Sequence, residues 1–406
     1  MLFLYLWKQY ALKHLLSLLF LLILLSCKNK EEKTLAQQTD NEILISIDSL
    51  VPIGFNKLPK KYIEQKKILV ENFFNEHINQ KDDFNGSFLV AKNGQIIFEK
   101  YQGKANFSTQ EEITENTPLH LASISKVLTA TAIFKLIDAG KLTLDEKVQA
   151  VLPDFPYSKI TIRMLLNHRS GLAKYSNFTE PENVWGRSKT LHNADILSLM
   201  IKHNVPLDFT PNTKFAYCNT NYAILALVIE KATNVSYPEA MHNLVFKPLN
   251  MTNTFVLDFD KDKDNVSQSY KSTKVKIAFD QLDAIYGDKN IYSTPQDLLK
   301  FDLATYSKDF ILEDLKKEIY KGYSYEKKGI KNYGLGIRLR EWETGQQVFY
   351  HNGWWHGNTS SYITLKKDTV TMIALSNKYT RKVYQTMRLS AVFGDYPFKL
   401  NDEESE

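Results

Sequence analysis

The stretch HLASISKVLTATAIFKLIDAGKL, His120 to Leu142, runs a Ser-x-x-Lys pair, Ser123 and Lys126, into an apolar segment. Val127, Ala130, Phe134 and Ile137 follow at helical spacing, and Gly140 stands where such a helix would end. The pattern predicts a largely buried helix. Residues three apart share a helical face, so with Ser123 in the first turn the Lys126 amine reaches the serine hydroxyl. Desolvation disfavours the charged form of an amine enclosed by apolar side chains and makes it a proton acceptor. First-turn N–H groups lack partners within a helix and can receive a developing oxyanion. Ser-x-x-Lys is nevertheless a weak pattern by itself. A second copy, Ser324 and Lys327 in YKGYSYEKKGIKN, sits among charges with no apolar helix after it and reads as a solvated loop, as does Lys327-Lys328-Gly329 within it.

Working outward, KYIEQKKILVENFFNEHINQ has the spacing of an amphipathic helix, and GSFLVAKNGQIIFEKYQG is two apolar runs joined at Asn93-Gly94, a hairpin signal. Between about residues 141 and 286 the pattern is helical and loop-rich, with Asn234 as the stop of NYAILALVIEKATN. Strand patterns return in YGLGIRLREW, QVFYHNG and SSYITLKKDTVTMIALSN, before a last helix around Arg381 to Val392. Strands at both ends and helices between them predict an α/β (α+β) domain: a sheet assembled from N- and C-terminal segments, with a helical domain inserted.

The 406 residues, 43% of them hydrophobic, suffice for a large core. A net charge of +5 spread over 51 basic and 46 acidic residues, without a basic run, argues against a nucleic-acid partner. The N-terminal MLFLYLWKQYALKHLLSLLFLLILLSC has signal-peptide anatomy: Lys8 and Lys13, then an apolar run from Leu15 to Leu25 too short to span a bilayer. Leu24-Leu25-Ser26-Cys27 resembles a bacterial lipobox, in which Cys27 is acylated. The alternative, an uncleaved anchor starting at Leu2, is interrupted by Lys8, Gln9 and Lys13. Either reading puts the remainder outside the cytoplasm, held at a membrane. The expected division is a lipoprotein signal peptide over 1–27, a polar tether over 28–60, a folded domain over 61–396 with its helical insert at about 141–286, and a tail over 397–406. Cys27 and Cys218 are the only cysteines, so no disulfide is expected, and the nine histidines show no zinc-ligand spacing.

Further polar groups complete the pattern around Ser123: Tyr217-Cys218-Asn219 ahead of an apolar helix, and His351-Asn352-Gly353 in FYHNGWWHGNTSSY. Tyr175-Ser176-Asn177 also fits Tyr-x-Asn but follows the NHRSGL loop, and EPEN at Glu180 to Asn183 reads as an acidic loop. With these motifs the chain resembles the serine beta-lactamase-related family, which includes class C beta-lactamases, DD-carboxypeptidases, related esterases and D-aminopeptidases. The resemblance runs from Phe88 to Asn377 through FLVAKNGQIIFEK, ITIRMLLNHRSGL, FAYCNTNYAILALVIEKATN, VFKPLNMTNTF, GDKNIYSTPQDLLKF and YGLGI, in the family's order.

The resemblance implies a beta-lactamase/transpeptidase-like fold, an antiparallel sheet flanked by helices. It implies Ser123 as nucleophile, Lys126 and Tyr217 sharing proton transfer, and Asn219 bonding the substrate amide. His351 takes the place of a lysine found in many relatives, which weakens any strict demand for a substrate carboxylate. Gly353 leaves its strand bare for substrate, and the backbone N–H groups of Ser123 and Trp354 form the oxyanion hole. Cys218 reads as a small filler. Trp354, Trp355 and Tyr362 are either an aromatic wall or core. The implied activity is acyl-enzyme hydrolysis of an amide or ester without a metal or organic cofactor. The expected enzyme is a D-amino-acid peptide or peptidoglycan-type peptidase or an esterase, with a beta-lactamase proper or a non-turnover penicillin-binding sensor or scaffold as alternatives.

Overall fold

The computed structural model describes residues 55–400, which belong to one compact unit. The signal peptide, Cys27 and most of the tether lie outside the described residues. Among the described residues no helix is long and apolar enough to cross a membrane.

The chain enters through helix α1, Lys60–Phe73, which carries on as a wider turn over Phe74–Ile78. Strands β1 (Gly86–Lys92) and β2 (Gln95–Gln102) form the hairpin expected at Asn93-Gly94, where both residues take positive φ, 51° and 72°. Five more strands come from the end of the sequence: β3 (Lys331–Tyr333), β4 (Arg338–Glu341), β5 (Gln347–Trp355), β6 (Asn358–Leu365) and β7 (Val370–Ser376). Together they make one antiparallel sheet in the order β2-β1-β7-β6-β5-β4-β3. The join between the two ends of the sequence is β1 against β7, with Gly86 opposite Ser376 and Lys92 opposite Val370.

Both faces of the central strands are buried, which explains their continuous apolar composition. Phe88, Val90, Val370, Met372 and Ala374 point into one core shared with Val70, Phe73 and Phe74 of the N-terminal helical segment and with Val383, Met387 and Leu389 near the C-terminus. Leu89, Ile373 and Leu375, one residue out of phase, are equally buried on the other side. There helix Pro295–Ala304 packs on β1 and β7, and the short turn Ala122–Ile124 packs on β5 and β6.

Two expectations change in detail. The YGLGIRLREW strand begins only at Arg338, because Gly334 to Ile337 form a loop in which Gly336, φ 79°, approaches Ala130 so closely that a Cβ would lie 2.4 Å from the alanine methyl. The last helix is a 3₁₀ turn over Lys382–Leu389 followed by a short α segment, Ser390–Phe393.

Candidate active site

The helix predicted after Ser123 is α2, Ser125–Asp138, closed by Gly140 at φ 69°. It is preceded by the tight turn Ala122–Ile124, which holds Ser123 at its centre. Ala122 has φ 49°, a left-handed conformation that costs a non-glycine residue about 1–2 kcal/mol. Its main-chain N–H is received by His120 Nδ1 at 3.1 Å, and His120 Nε2–H donates to Asn290 Oδ1 at 3.0 Å. Burial pushes the His120 imidazole down to about 4, so the ring is neutral with both nitrogens used.

Lys126, in the first turn of α2, is fully buried. Its Nζ donates to Ser123 Oγ at 3.1 Å and to the main-chain oxygen of Asp288 at 2.7 Å, and lies 5.1 Å from the centroid of the Tyr217 ring. Tyr217 lies on the extended segment leading into helix α3, Thr220–Thr233, which ends at Asn234 with φ 57° as its sequence predicts. The Tyr217 hydroxyl and Asn219 Oδ1 are buried without hydrogen-bond partners. Buried polar atoms are normally satisfied, so two such acceptors beside Ser123 mark a place for a polar ligand. Cys218 between them donates its thiol to Leu172 O at 3.2 Å and is buried, with burial pushing the thiol up, an inert filler.

Ser123, Tyr217, Asn219, Asn352, Gly353 and Trp354 line one cavity of about 730 Å³, together with Arg338, Lys331, Tyr350, Trp355, His356, Tyr384 and Asp280. The sequence motifs thus converge, but two of their residues do not line the cavity: Lys126, which touches Ser123 from the buried side, and His351. His351 is fully buried. Its Nε2 meets the Tyr333 hydroxyl at 3.2 Å and its Nδ1 the carbonyl of Asn352 at 2.9 Å. Desolvation, then the positive charges of Arg338 and Lys126, hold it well below its usual range, so it is a neutral ring behind the wall. The cations that do border the cavity are Arg338 and Lys331 from β4 and β3, neither singled out by the sequence motifs.

Gly353 has a reason beyond a bare strand. A Cβ there would lie 2.2 Å from Ser360 Oγ and 2.4 Å from Leu121 O, so only glycine lets β5 close on the serine turn. Tyr384 donates its hydroxyl to Gly353 O at 3.0 Å. Trp354 is 64% exposed at the rim and Trp355 lines the cavity, whereas Tyr362 is core, its hydroxyl donating to buried Asp302 at 2.6 Å.

The rival motifs fall elsewhere. Tyr175 is buried outside the cavity, donating to Asp288 Oδ2 at 2.8 Å and receiving Lys289 Nζ at 2.9 Å. Ser324 and Lys327 lie in an irregular loop. Behind the cavity-lining Trp355 and His356, buried Asp283 accepts Trp355 Nε1–H at 2.5 Å and His356 Nε2–H at 3.0 Å. Among the described residues only Asp280, Asp283 and His356 could gather around a metal, and the Asp283 oxygens are already engaged in these bonds.

The family model described as Beta-lactamase matches residues 73–392. Penicillin-binding protein 4* of Bacillus subtilis is 30% identical over 334 residues, covering 78% of this chain and 73% of that one. The teichoic acid D-alanine hydrolase of Staphylococcus aureus is 29% identical over 225 residues, 54% of each chain. A crystal structure of a penicillin binding protein from Bacillus halodurans superposes with a TM-score of 0.69 at 23% identity, over 80% of this chain and 99% of that one.

Proposed function

The chain belongs to the Beta-lactamase family of serine hydrolases, and on that premise we propose that Ser123 is its nucleophile and that it hydrolyses D-amino-acid amides or esters through a Ser123 acyl-enzyme. The observation that carries the reading is the 3.1 Å contact between Lys126 Nζ and Ser123 Oγ, with Ser123 lining a cavity together with Tyr217 and Asn219. Ser123 Oγ attacks the carbonyl carbon and forms the C–O bond. Its proton passes to Lys126 Nζ or to Tyr217, whose ring lies 5.1 Å from that amine. The carbonyl oxygen takes the negative charge facing the N–H groups of Ser123 and Trp354. The same group returns the proton to the leaving amine or alcohol as the C–N or C–O bond breaks, and water then repeats the sequence to release the acid. Asn219 Oδ1, unsatisfied in the resting site, accepts the substrate amide N–H.

The relatives' names, a penicillin-binding protein and a teichoic acid D-alanine hydrolase, support a D-amino-acid acyl donor and a place in the bacterial envelope. A Cys27 lipid anchor would hold the domain there. The neutral, enclosed His351 supports peptides and esters over an enzyme dedicated to beta-lactams, because no cation stands at that position of the strand, and the cavity's cations, Arg338 and Lys331, come from the neighbouring strands.

Intact-mass measurement of residues 28–406 with activated esters and a beta-lactam tests this. The expected result is a transient adduct on Ser123 that decays with product release and is absent in Ser123→Ala. A stable stoichiometric adduct would favour the penicillin-binding sensor. No adduct with any donor would overturn the assignment of Ser123.

A further inference from the structure

His168 has no part in the chemistry above, yet it meets Tyr217 in three ways. Its main-chain oxygen accepts the N–H of Ala216 at 3.0 Å, and its ring Nδ1 accepts the N–H of Cys218 at 3.2 Å. These are the residues on either side of Tyr217. The two rings also lie against each other, centroids 4.3 Å apart. Asn221 Nδ2, in the first turn of α3, reaches the same Nδ1 at 3.0 Å.

The tautomer follows from these donors. A main-chain N–H can only donate, so Nδ1 is an acceptor and the ring proton sits on Nε2. That Nε2 is buried without a hydrogen-bond partner, among the rings of Tyr217, Tyr222 and Tyr333. An unmet buried donor costs about 1–3 kcal/mol. A phenyl ring would fill the space without that cost, so the acceptor Nδ1 is what the imidazole contributes. The backbone agrees: His168 is held at φ 58°, a left-handed conformation the surrounding contacts must enforce. Desolvation foremost, with Lys126 and Arg338 acting in the same direction, holds the ring well below its usual range and neutral.

We infer that His168 is a positioning residue that clamps the chain on both sides of Tyr217 and fixes the plane of its ring, holding a phenol with no hydrogen bond of its own in the cavity that contains Ser123. The inference rests on the proton-relay role proposed for Tyr217.

Two variants test it. His168→Phe keeps the ring and removes the acceptor, while His168→Asn places Oδ1 near the position of Nδ1 and tolerates positive φ. Single-turnover acylation by an activated ester should be slowed roughly 10- to 100-fold in His168→Phe, as expected for a slightly misplaced catalytic group. The substrate dissociation constant should stay within about twofold, the pH profile of acylation should be displaced, and His168→Asn should restore most of the rate. In a Tyr217→Phe background His168→Phe should have no further effect, and if His168→Phe does not fold, an acylation rate in His168→Asn as low as that of Tyr217→Phe overturns the clamp. Wild-type acylation with an unchanged pH profile in His168→Phe, or additive losses in the cycle, would overturn the clamp. If the wild type forms no adduct at Ser123, the reading of the site fails. The clamp is then decided by a crystal structure of the His168→Phe variant, in which an unmoved Tyr217 overturns it.

Discussion

At the scale of single residues, the Tyr217 hydroxyl separates function from stability. It is buried and bonds to nothing in the resting site. Tyr217→Phe therefore removes an unsatisfied polar atom, and the urea midpoint should hold or rise by the equivalent of about 1 kcal/mol. The acylation rate should fall about 10²- to 10⁴-fold, the range for losing a positioned proton-transfer group. A drop in stability matching the drop in rate would show the hydroxyl to be structural. Lys126 behaves differently, because its Nζ also holds the Asp288 carbonyl at 2.7 Å. Lys126→Met should lose both acylation and stability, by about 1–3 kcal/mol for the buried carbonyl left unmet, measured by urea titration beside the rate.

At the scale of elements, the site is the junction of β5 with the Ala122–Ile124 turn. Ser360 Oγ donates to Leu121 O at 2.7 Å across that junction, and the glycine between them makes the approach possible. Gly353→Ala would force a methyl against the Leu121 carbonyl, pushing the strand away from the serine turn and moving the Trp354 N–H with it. The expected cost is about 1–3 kcal/mol in unfolding free energy. A larger relative loss in acylation should accompany it, and equal adduct formation by this variant and the wild type would contradict that role for the junction. The expectation that Gly353 keeps a strand bare was legible from the motif. The contact with Leu121 was not, since 232 positions separate them along the chain.

At the scale of the whole molecule, three histidines among the described residues are buried neutral: His120, His168 and His351. Each takes up a proton more readily in the unfolded chain, near pH 6.5, than in the fold. Between that pH and the folded value, about 4 for His120, the unfolded state binds more protons, so stability rises with pH and is lost as pH falls. For His120 alone the full window is worth roughly 3 kcal/mol. His356 opposes this: burial works against its charge, but the bond to Asp283 and that carboxylate's charge prevail and raise it, so its contribution is present in acid and lost as pH rises. With three groups against one, the urea midpoint should fall from pH 7 to pH 5, and His120→Gln should flatten the slope. An equal slope in the variant would mean that His120 titrates normally.

What the sequence determined by itself is local and periodic. Helical spacing after Ser123 placed Lys126 on its face, Asn93-Gly94 turned the first hairpin, Gly140 and Asn234 ended their helices, and short apolar runs marked the central strands. These are settled by neighbours a few residues away, where backbone geometry leaves few choices. Period tells which face a side chain occupies and not what it meets there. Tertiary packing therefore decided that His351 turns to Tyr333 and away from the cavity, that Arg338 and Lys331 border it, and that the Asp288 carbonyl, 162 residues from Lys126, receives its amine. It also decided that His120 and His168, unremarkable in the sequence, stand behind the two arms of the site. Contacts across such separations form only when the sheet closes its two ends together, and no local rule carries them.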